Sequence, residues 1–484
     1  MKEKNIKVNA VLNVIKTLSS ILFPLITFPY ISRVLQPDNI GKINFGSSFV
    51  SYFTLIASLG ITTYAIRECA AVRNDKKKLT VTASQIFSIN ICTTLVAYCA
   101  LAVTLLCFRE FDTYRTLIII QSLTIMFTTL GCDWLNSAME DFIFITIRSI
   151  SFQAIALVLM FVFVREPTDY LKYAFITVVS ASGANIVNIF YRKKYCEIHF
   201  VKQIEWRKHL KPIMLLFVMI LAQTIFNSSD VTMLGLIKGD YEVGIYSTAV
   251  KMKQLIAQVV TSLAWVIMPR MSLYFENKDY EKINRMLKRV LGVLLTLGLP
   301  SAIGCICLSD EIVIMMAGSS YIGASSALKI LMVGFLISLV GGSFLGNMIL
   351  LPSKRESVYM IICCLATVIN LVLNYFLIPR WGVNAAAATT AFSSLIILIF
   401  LLFSMDKKIR IDGLLKSIIT PILGCVFIVA TCVLIRCFVT HIFIRLIISI
   451  VAGGIVFLVS QVVLRNYLVI EIISIVKDKF RRLE

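Results

Sequence analysis

No stretch of this 484-residue chain stays polar for long enough to fold as a soluble domain. The longest basic loops, 192–211 and 269–289, run to about twenty residues, and the opposite face offers only 309–327, itself partly apolar. Ordinary catalysis has nowhere to be housed outside the apolar segments. The chain also lacks a P-loop of the form GxxxxGK[ST]. Any energy must therefore come from an ion gradient, from downstream consumption of substrate, or from a separate protein. Its thirteen cysteines make no CxxC pair and no Cys/His cluster of zinc spacing, so no metal site is expected. Eleven of them lie in or at the ends of apolar segments, as small buried hydrophobes do. Acidic residues are few, 27 against 47 Lys and Arg. No small-residue cleavage site follows the apolar run after Lys7, which is too long for a signal-peptide core. The first helix is expected to act as an uncleaved anchor.

Apolar residues, by contrast, make up 58% of the chain. They gather into fourteen stretches of about 20 or more residues, the length a helix needs to cross a ~30 Å hydrocarbon layer. The expected spans are 9–33, 41–65, 81–108, 115–139, 143–164, 170–191, 212–237, 243–268, 290–309, 327–351, 358–378, 384–405, 415–437 and 443–464. Loops rich in Lys and Arg alternate strictly with loops poor in them, and 33 of the 47 basic residues fall on one side. The positive-inside bias then places both termini in the cytoplasm. The same alternation explains the net charge of +20 as a topology signal, and excludes nucleic acid as the partner it suggests in a soluble protein. The chain reads as an all-α integral membrane protein whose partner is the lipid bilayer.

A faint internal repeat divides these helices. Ile40-Gly41 opens the second helix and Arg67 follows its end; Val243-Gly244 opens the eighth and Arg270 follows, each pair offset by 203 positions. Asp75-Lys76 and Lys278-Asp279 follow at that offset too. Six helices per copy means both enter from the same side, as parallel repeats about an axis normal to the membrane. Two six-helix lobes are expected, 1–206 and 207–405, followed by a helix pair and tail at 406–484.

Polar residues within the spans identify the candidate site. A charged side chain at mid-helix costs roughly 2.5–3.5 kcal/mol on insertion scales, so it ordinarily faces an aqueous cavity. Lys16 lies on a stripe with Asn9, Asn13, Thr17, Ser20 and Thr27, and Lys251 on one with Ser247, Thr248, Gln254, Gln258, Thr261 and Ser262. Helix 2 carries Asn44, Ser48, Ser51, Ser58 and Thr62; helix 7 carries Gln223, Asn227 and Asp230. Stripes on helices 1, 2, 7 and 8 are consistent with one central cavity shared by the lobes. The bland alternatives stand beside this reading. Hydroxyl stripes can simply pack helices or bond backbone carbonyls, and Lys16 can snorkel to the surface. Lys253 lies about 200° from Lys251 at 100° per residue, so only one of them points into a lumen. Asp133 and Asp230 can each carry a coupling proton or sodium ion, or neutralise a neighbouring cation. Asn370 and Asn374 can line the cavity or bond one helix to another.

The run Phe28-Pro29-Tyr30-Ile31-Ser32-Arg33-Val34-Leu35-Gln36-Pro37-Asp38-Asn39-Ile40-Gly41 resembles the N-terminal signature of the Wzx-type polysaccharide flippases. The likeness continues at Tyr64-Ala65-Ile66-Arg67-Glu68, Asp133-Trp134, Ser229-Asp230, Val243-Gly244-Ile245-Tyr246-Ser247, Pro269-Arg270 and Ile378-Pro379-Arg380-Trp381-Gly382, over some 400 residues. It weakens in the last two helices, and the family's usual glycine before Pro37 is Gln36 here. The resemblance implies a MATE-like fold, shared with multidrug exporters and the lipid II flippase MurJ, that opens alternately to the two sides. It implies an undecaprenyl-pyrophosphate-linked glycan, O-antigen before capsule, moved across the bacterial inner membrane. A polysaccharide polymerase and a chain-length regulator become candidate partners. Lys16 and Lys251 would neutralise the diphosphate, and Arg67 and Arg270 would sit near the inner mouth unless they are plain positive-inside anchors. Asn13, Gln254, Gln258, Asn370 and Asn374 would meet the sugars. No cofactor is implied beyond coupling to H+ or Na+.

Three rivals are weaker. A cation exporter of the same fold wants a carboxylate in helix 1, where this chain has Lys16. A membrane-embedded polymerase or glycosyltransferase needs a larger outer loop. A scaffold without transport leaves the polar stripes unexplained.

Overall fold

The computed structural model of the protein describes residues 6–406, 409, 414–466 and 468–470. Within its helices, the side chains of 6–14, 16, 17, 219, 263–266, 269 and 414–418 lie outside that description. The described residues are helices and turns only. All fourteen expected spans are helical, and the departures from plain helix fall where the sequence carries glycine or proline. Helix α1 (Ile6–Ser58) holds two crossings, broken at Gln36 (φ 62°, ψ 169°). Pro37 causes the break: its ring disfavours the α conformation in the preceding residue and removes one backbone donor. Gly60 (φ 77°) ends the second crossing and starts α2 (Ile61–Ala71). Helix α3 (Lys76–Cys107) begins at Asp75, whose carboxylate accepts from the Lys77 and Lys78 amides and so caps the helix start.

The fourth crossing splits at Cys132 (φ 50°) into α4 (Arg115–Gly131) and α5 (Asp133–Ala138). Helix α6 (Phe142–Phe163) follows. The sixth crossing is α7 (Tyr170–Val178) and α8 (Ala184–Tyr191), joined by a π-helical turn at Val179–Gly183. Then come α9 (Trp206–Lys238), α10 (Asp240–Glu276), α11 (Tyr280–Cys307) and the short α12 (Ser309–Met316). Helix α13 (Ala324–Ser338) runs on into a π-helix, Leu339–Leu350. Helix α14 (Glu356–Phe403) holds two crossings kinked at Gly382 (φ 53°), three residues after Pro379. Helices α15 (Leu414–Phe438) and α16 (Ile442–Val463) end the described chain. Among the described residues, ten helical runs are long and apolar enough to cross a membrane. Two of them, within α1 and α14, hold two crossings each. The other two expected crossings are α4, only 17 residues long, and α10, which carries lysines and an arginine among its 37 residues.

The chain divides into compact units Met1–Gly244 and Ile245–Glu484. This division falls later than the lobe boundary near 206 expected from hydropathy. Its physical reason is the packing of α9. The Ser48 hydroxyl on α1 donates to the Ser228 carbonyl at 2.7 Å. Gly235 lies so close to the Phe45 ring that an added Cβ would come within 2.2 Å of it. Helix α9 therefore completes the first unit rather than opening the second. The expected trailing pair likewise belongs to the second unit. Leu308 at the end of α11 packs with Cys425, Ile428, Cys432, Leu446 and Phe457 of α15 and α16. Buried Glu311 takes Arg436 at 2.9 Å and Arg445 at 3.0 Å.

Within each unit the basic-rich loops meet one another and the basic-poor turns meet at the other end. In the first unit Arg73 pairs with Glu140 at 2.5 Å, and the Tyr191 hydroxyl donates to Asp141 at 2.7 Å. At the far end the Asn39 amide donates to the Pro167 carbonyl at 2.9 Å, and the Tyr114 hydroxyl to Asp240 at 2.7 Å. In the second unit Arg355 donates to the Ser404 carbonyl at 2.8 Å at the basic end. Ser326 donates to Asn384 at 2.8 Å at the other. The alternation of charge along the sequence is thus an alternation in space.

Candidate substrate site

The first unit holds an open cavity of about 440 Å³ among α1, α4, α7 and α9. Ser47, Ser51, Thr54 and Ser58 line it from the second crossing of α1, spaced so that one helical face supplies four hydroxyls. Gln121 and Thr124 of α4, Thr177 of α7 and Thr224 of α9 complete the polar wall, and Val50, Leu55, Val178, Ala181 and Ile220 the apolar one. No ionisable residue lines it. Gln121 is held by its own amide, which donates to the Ile43 carbonyl at 2.9 Å, while its buried Oε1 has no hydrogen-bond partner among the described residues. The wall therefore presents neutral donors and acceptors, the chemistry that hydroxyl-bearing ligands pair with.

Of the helix-2 stripe, Ser51 and Ser58 reach this cavity. Ser48 turns instead to α9, at 2.8 Å from the Thr232 hydroxyl. Asp230 is buried in the same layer of α9, engaged with its surroundings and near the Tyr52 phenol, which lies 3.1 Å from Thr232. Gln223 and Asn227 are exposed.

The remaining candidates are dispersed. The backbone of Asn13 and Lys16 is helical, but both side chains lie outside the described residues. Arg67 is exposed at the basic end, 3.2 Å from Glu68 and stacked 5.6 Å over Tyr64. Arg270, Gln254 and Gln258 are exposed on α10. Lys251 is half-buried on the same helix and has no hydrogen bond or ion pair to any described residue, whereas Lys253 is engaged. Asp133 pairs with Arg148 at 2.5 Å, and Arg148 is buried with its guanidinium 5.3 Å over the Phe144 ring. Of Asn370 and Asn374, only Asn374 bonds to another helical arm, and the buried Nδ2 of Asn370 has no partner among the described residues. Both are wholly buried. Asn374 donates to Asn370 at 3.1 Å and accepts from Thr389 on the other arm of α14 at 2.5 Å. With no exposed surface, they line no cavity in this structure.

Sequence reasoning missed Gln121, Thr124, Thr177 and Thr224: Gln121 and Thr124 share one face of α4 with Thr128, a short stripe that carries no ionisable residue to mark it. It also counted Arg148 as one more loop charge. The signal for Arg148 was its spacing: it lies six residues inside α6, too deep for a surface anchor.

Helices that cross the membrane this often, around a cavity lined by uncharged residues, have the architecture of MATE-like transporters. Solved structures agree on the fold. The lipid II flippase MurJ in an inward closed conformation superposes with a TM-score of 0.75 at 15% identity, covering 95% of this chain and 99% of that one. An inward-facing multidrug resistance MATE family transporter of the MOP superfamily gives 0.62 at 15% identity, covering 84% and 99%.

The chain belongs to the polysaccharide biosynthesis protein family, whose model matches residues 6–275. The MatE model matches 216–376. A protein of Escherichia coli (strain K12) named "Putative O-antigen transporter" is 23% identical over 415 residues, covering 81% of this chain and 95% of its own. The capsular polysaccharide biosynthesis protein CapF of Staphylococcus aureus is 22% identical, with 82% and 97% covered.

Proposed function

We propose that this protein is a flippase that moves a polyprenyl-pyrophosphate-linked oligosaccharide, of the O-antigen repeat type, from the cytoplasmic to the outer leaflet of a bacterial inner membrane. The observation that carries the reading is Lys251, a cation in a membrane-crossing helix without a counter-ion among the described residues. An uncompensated charge there is expensive, and an anionic ligand removes the cost. A diphosphate supplies that anion, held by Lys251 as a point charge. Lys16 is its proposed counterpart, on the matching polar face of the first crossing. The neutral, hydroxyl-bearing cavity of the first unit suits the sugars, while the polyprenyl tail stays in lipid. Family membership and relatives named for O-antigen and capsule support the same substrate class. Translocation proceeds by alternating access with both termini cytoplasmic, and the product passes to a polymerase under a chain-length regulator. Asp230 is the proposed site of coupling to H+ or Na+. Asp133, which pairs with Arg148 at 2.5 Å, is the other candidate.

The test is surface glycan display in a flippase-null strain, with protein levels matched by blot. Lys251→Ala is expected to lower display severely, Lys251→Arg to retain part of it, and Lys253→Ala to matter little. Full display by a Lys16→Ala/Lys251→Ala double variant would remove the lysines from the substrate site. Export of cationic dyes in place of glycan display would favour a MATE-like ion-coupled exporter.

A further inference from the structure

Cys307 closes α11, and Cys432 lies in the last two turns of α15. Their side chains face each other across the contact between the two helices. Cys432 belongs to the buried cluster that docks α15 and α16, and Cys307 packs against that cluster. One turn past Cys432, Arg436 donates to the Cys307 carbonyl at 3.3 Å and to Glu311 at 2.9 Å. This end of α15 is therefore pinned to the end of α11, and the two sulfurs cannot slide apart without breaking an ion pair. A disulfide between them needs a Cβ separation of ~3.5–4.5 Å, which thiols facing each other on packed helices can reach. Both are free thiols in the structure. They differ in access, Cys307 being half-buried at a helix end and Cys432 buried.

We propose that Cys307 and Cys432 are a disulfide site on the outer side of the membrane, where their oxidation fixes α15 covalently to α11. The inference rests on the orientation proposed above, which places this end of the unit in the oxidising compartment. The oxidant is an oxidised dithiol protein. The Cys307 thiolate attacks a sulfur of the donor disulfide, forming a mixed disulfide and releasing one donor thiolate. The Cys432 thiolate then attacks the Cys307 sulfur, forming the Cys307–Cys432 bond and releasing the second donor thiolate. Two electrons pass to the donor, and the two protons lost by the cysteines balance the two thiolates released. Half-buried Cys307 can meet the donor; buried Cys432 resolves the intermediate and needs no access of its own.

The full-length protein in cells is quenched in acid, denatured and treated with PEG-maleimide, with or without prior reduction. The unreduced protein is expected to take two fewer adducts than the reduced one. Cys307→Ser and Cys432→Ser should each take equal numbers in both arms, while Cys425→Ser should keep the difference. Exposed Cys437, at the same end of α15, reports orientation separately through a membrane-impermeant maleimide. Labelling of Cys437 from outside with equal adduct numbers in wild type overturns the disulfide and leaves the orientation standing. Failure to label Cys437 from outside overturns both. Loss of the difference in Cys425→Ser but not in Cys432→Ser assigns the bond to another pair and also refutes the proposal.

Discussion

Gly41 and Gly244 cross backbone to backbone, each filling the space a side chain would take from the other's helix. A Cβ at Gly41 would lie 1.8 Å from the Asp240 carbonyl oxygen, and one at Gly244 would lie 2.0 Å from that of Pro37. The contact is reciprocal in sequence as well, since Gly41 and Gly244, and Pro37 and Asp240, are both separated by 203 positions. The two helix starts thus contact each other through equivalent positions of the offset.

Because backbone lies in the way, neither glycine tolerates even a methyl group. Gly41→Ala and Gly244→Ala are each expected to destabilise the protein by about 1–3 kcal/mol, the usual cost of overpacking. Thermal melts of detergent-purified protein measure this. Unchanged melts for both variants would mean that the crossing is looser than described.

Gln36 is the reverse case. It holds φ 62° with ψ 169°, a region that favours glycine, where a non-glycine residue is strained by about 1–3 kcal/mol. This explains why the family's pattern has glycine before the proline. Gln36→Gly should raise the melting temperature even though the Gln36 amide loses its 2.6 Å bond to the Arg33 carbonyl. A lowered melt would show that this bond outweighs the relief of strain.

Much of the architecture was legible because hydropathy, proline and glycine act locally. Pro37, Gly60 and Pro379-Arg380-Trp381-Gly382 each interrupt a helix where the sequence places a boundary. The site was less legible, because a serine or threonine in a helix can bond its own carbonyl and a sequence does not say which way it turns. Thr54 donates to Val50 at 3.0 Å and Thr177 to Ala174 at 2.7 Å, yet both also line the cavity. Asn374 shows the converse: a polar residue in an apolar helix that bonds to the other arm of its kinked helix. The position of α9 was hidden for a different reason, since hydropathy marks crossings but not which neighbours they choose.

The two intramembrane aspartates carry separate predictions. Asp133→Asn leaves buried Arg148 without its anion, and removing one partner of a buried pair costs about 3–5 kcal/mol, less here because Asp133 is partly exposed. The expected result is a lowered melt that the Asp133→Asn/Arg148→Met double variant largely restores. Asp230→Asn is expected to remove the dependence of transport on the ion gradient while leaving the protein in the membrane. A gradient response lost in Asp133→Asn at unchanged stability would exchange the two roles.

The most direct measurement is translocation by the purified protein in proteoliposomes. A polyprenyl-pyrophosphate oligosaccharide is placed in one leaflet, and its arrival in the other is read with a membrane-impermeant glycan-modifying reagent. Wild-type protein is expected to expose the glycan well above the rate of empty liposomes. Lys251→Ala should lower the initial rate roughly tenfold or more, the loss of one charge-assisted contact of about 1.5 kcal/mol or above. Wild-type proteoliposomes no faster than empty ones, or a Lys251→Ala variant as fast as wild type, would contradict the account.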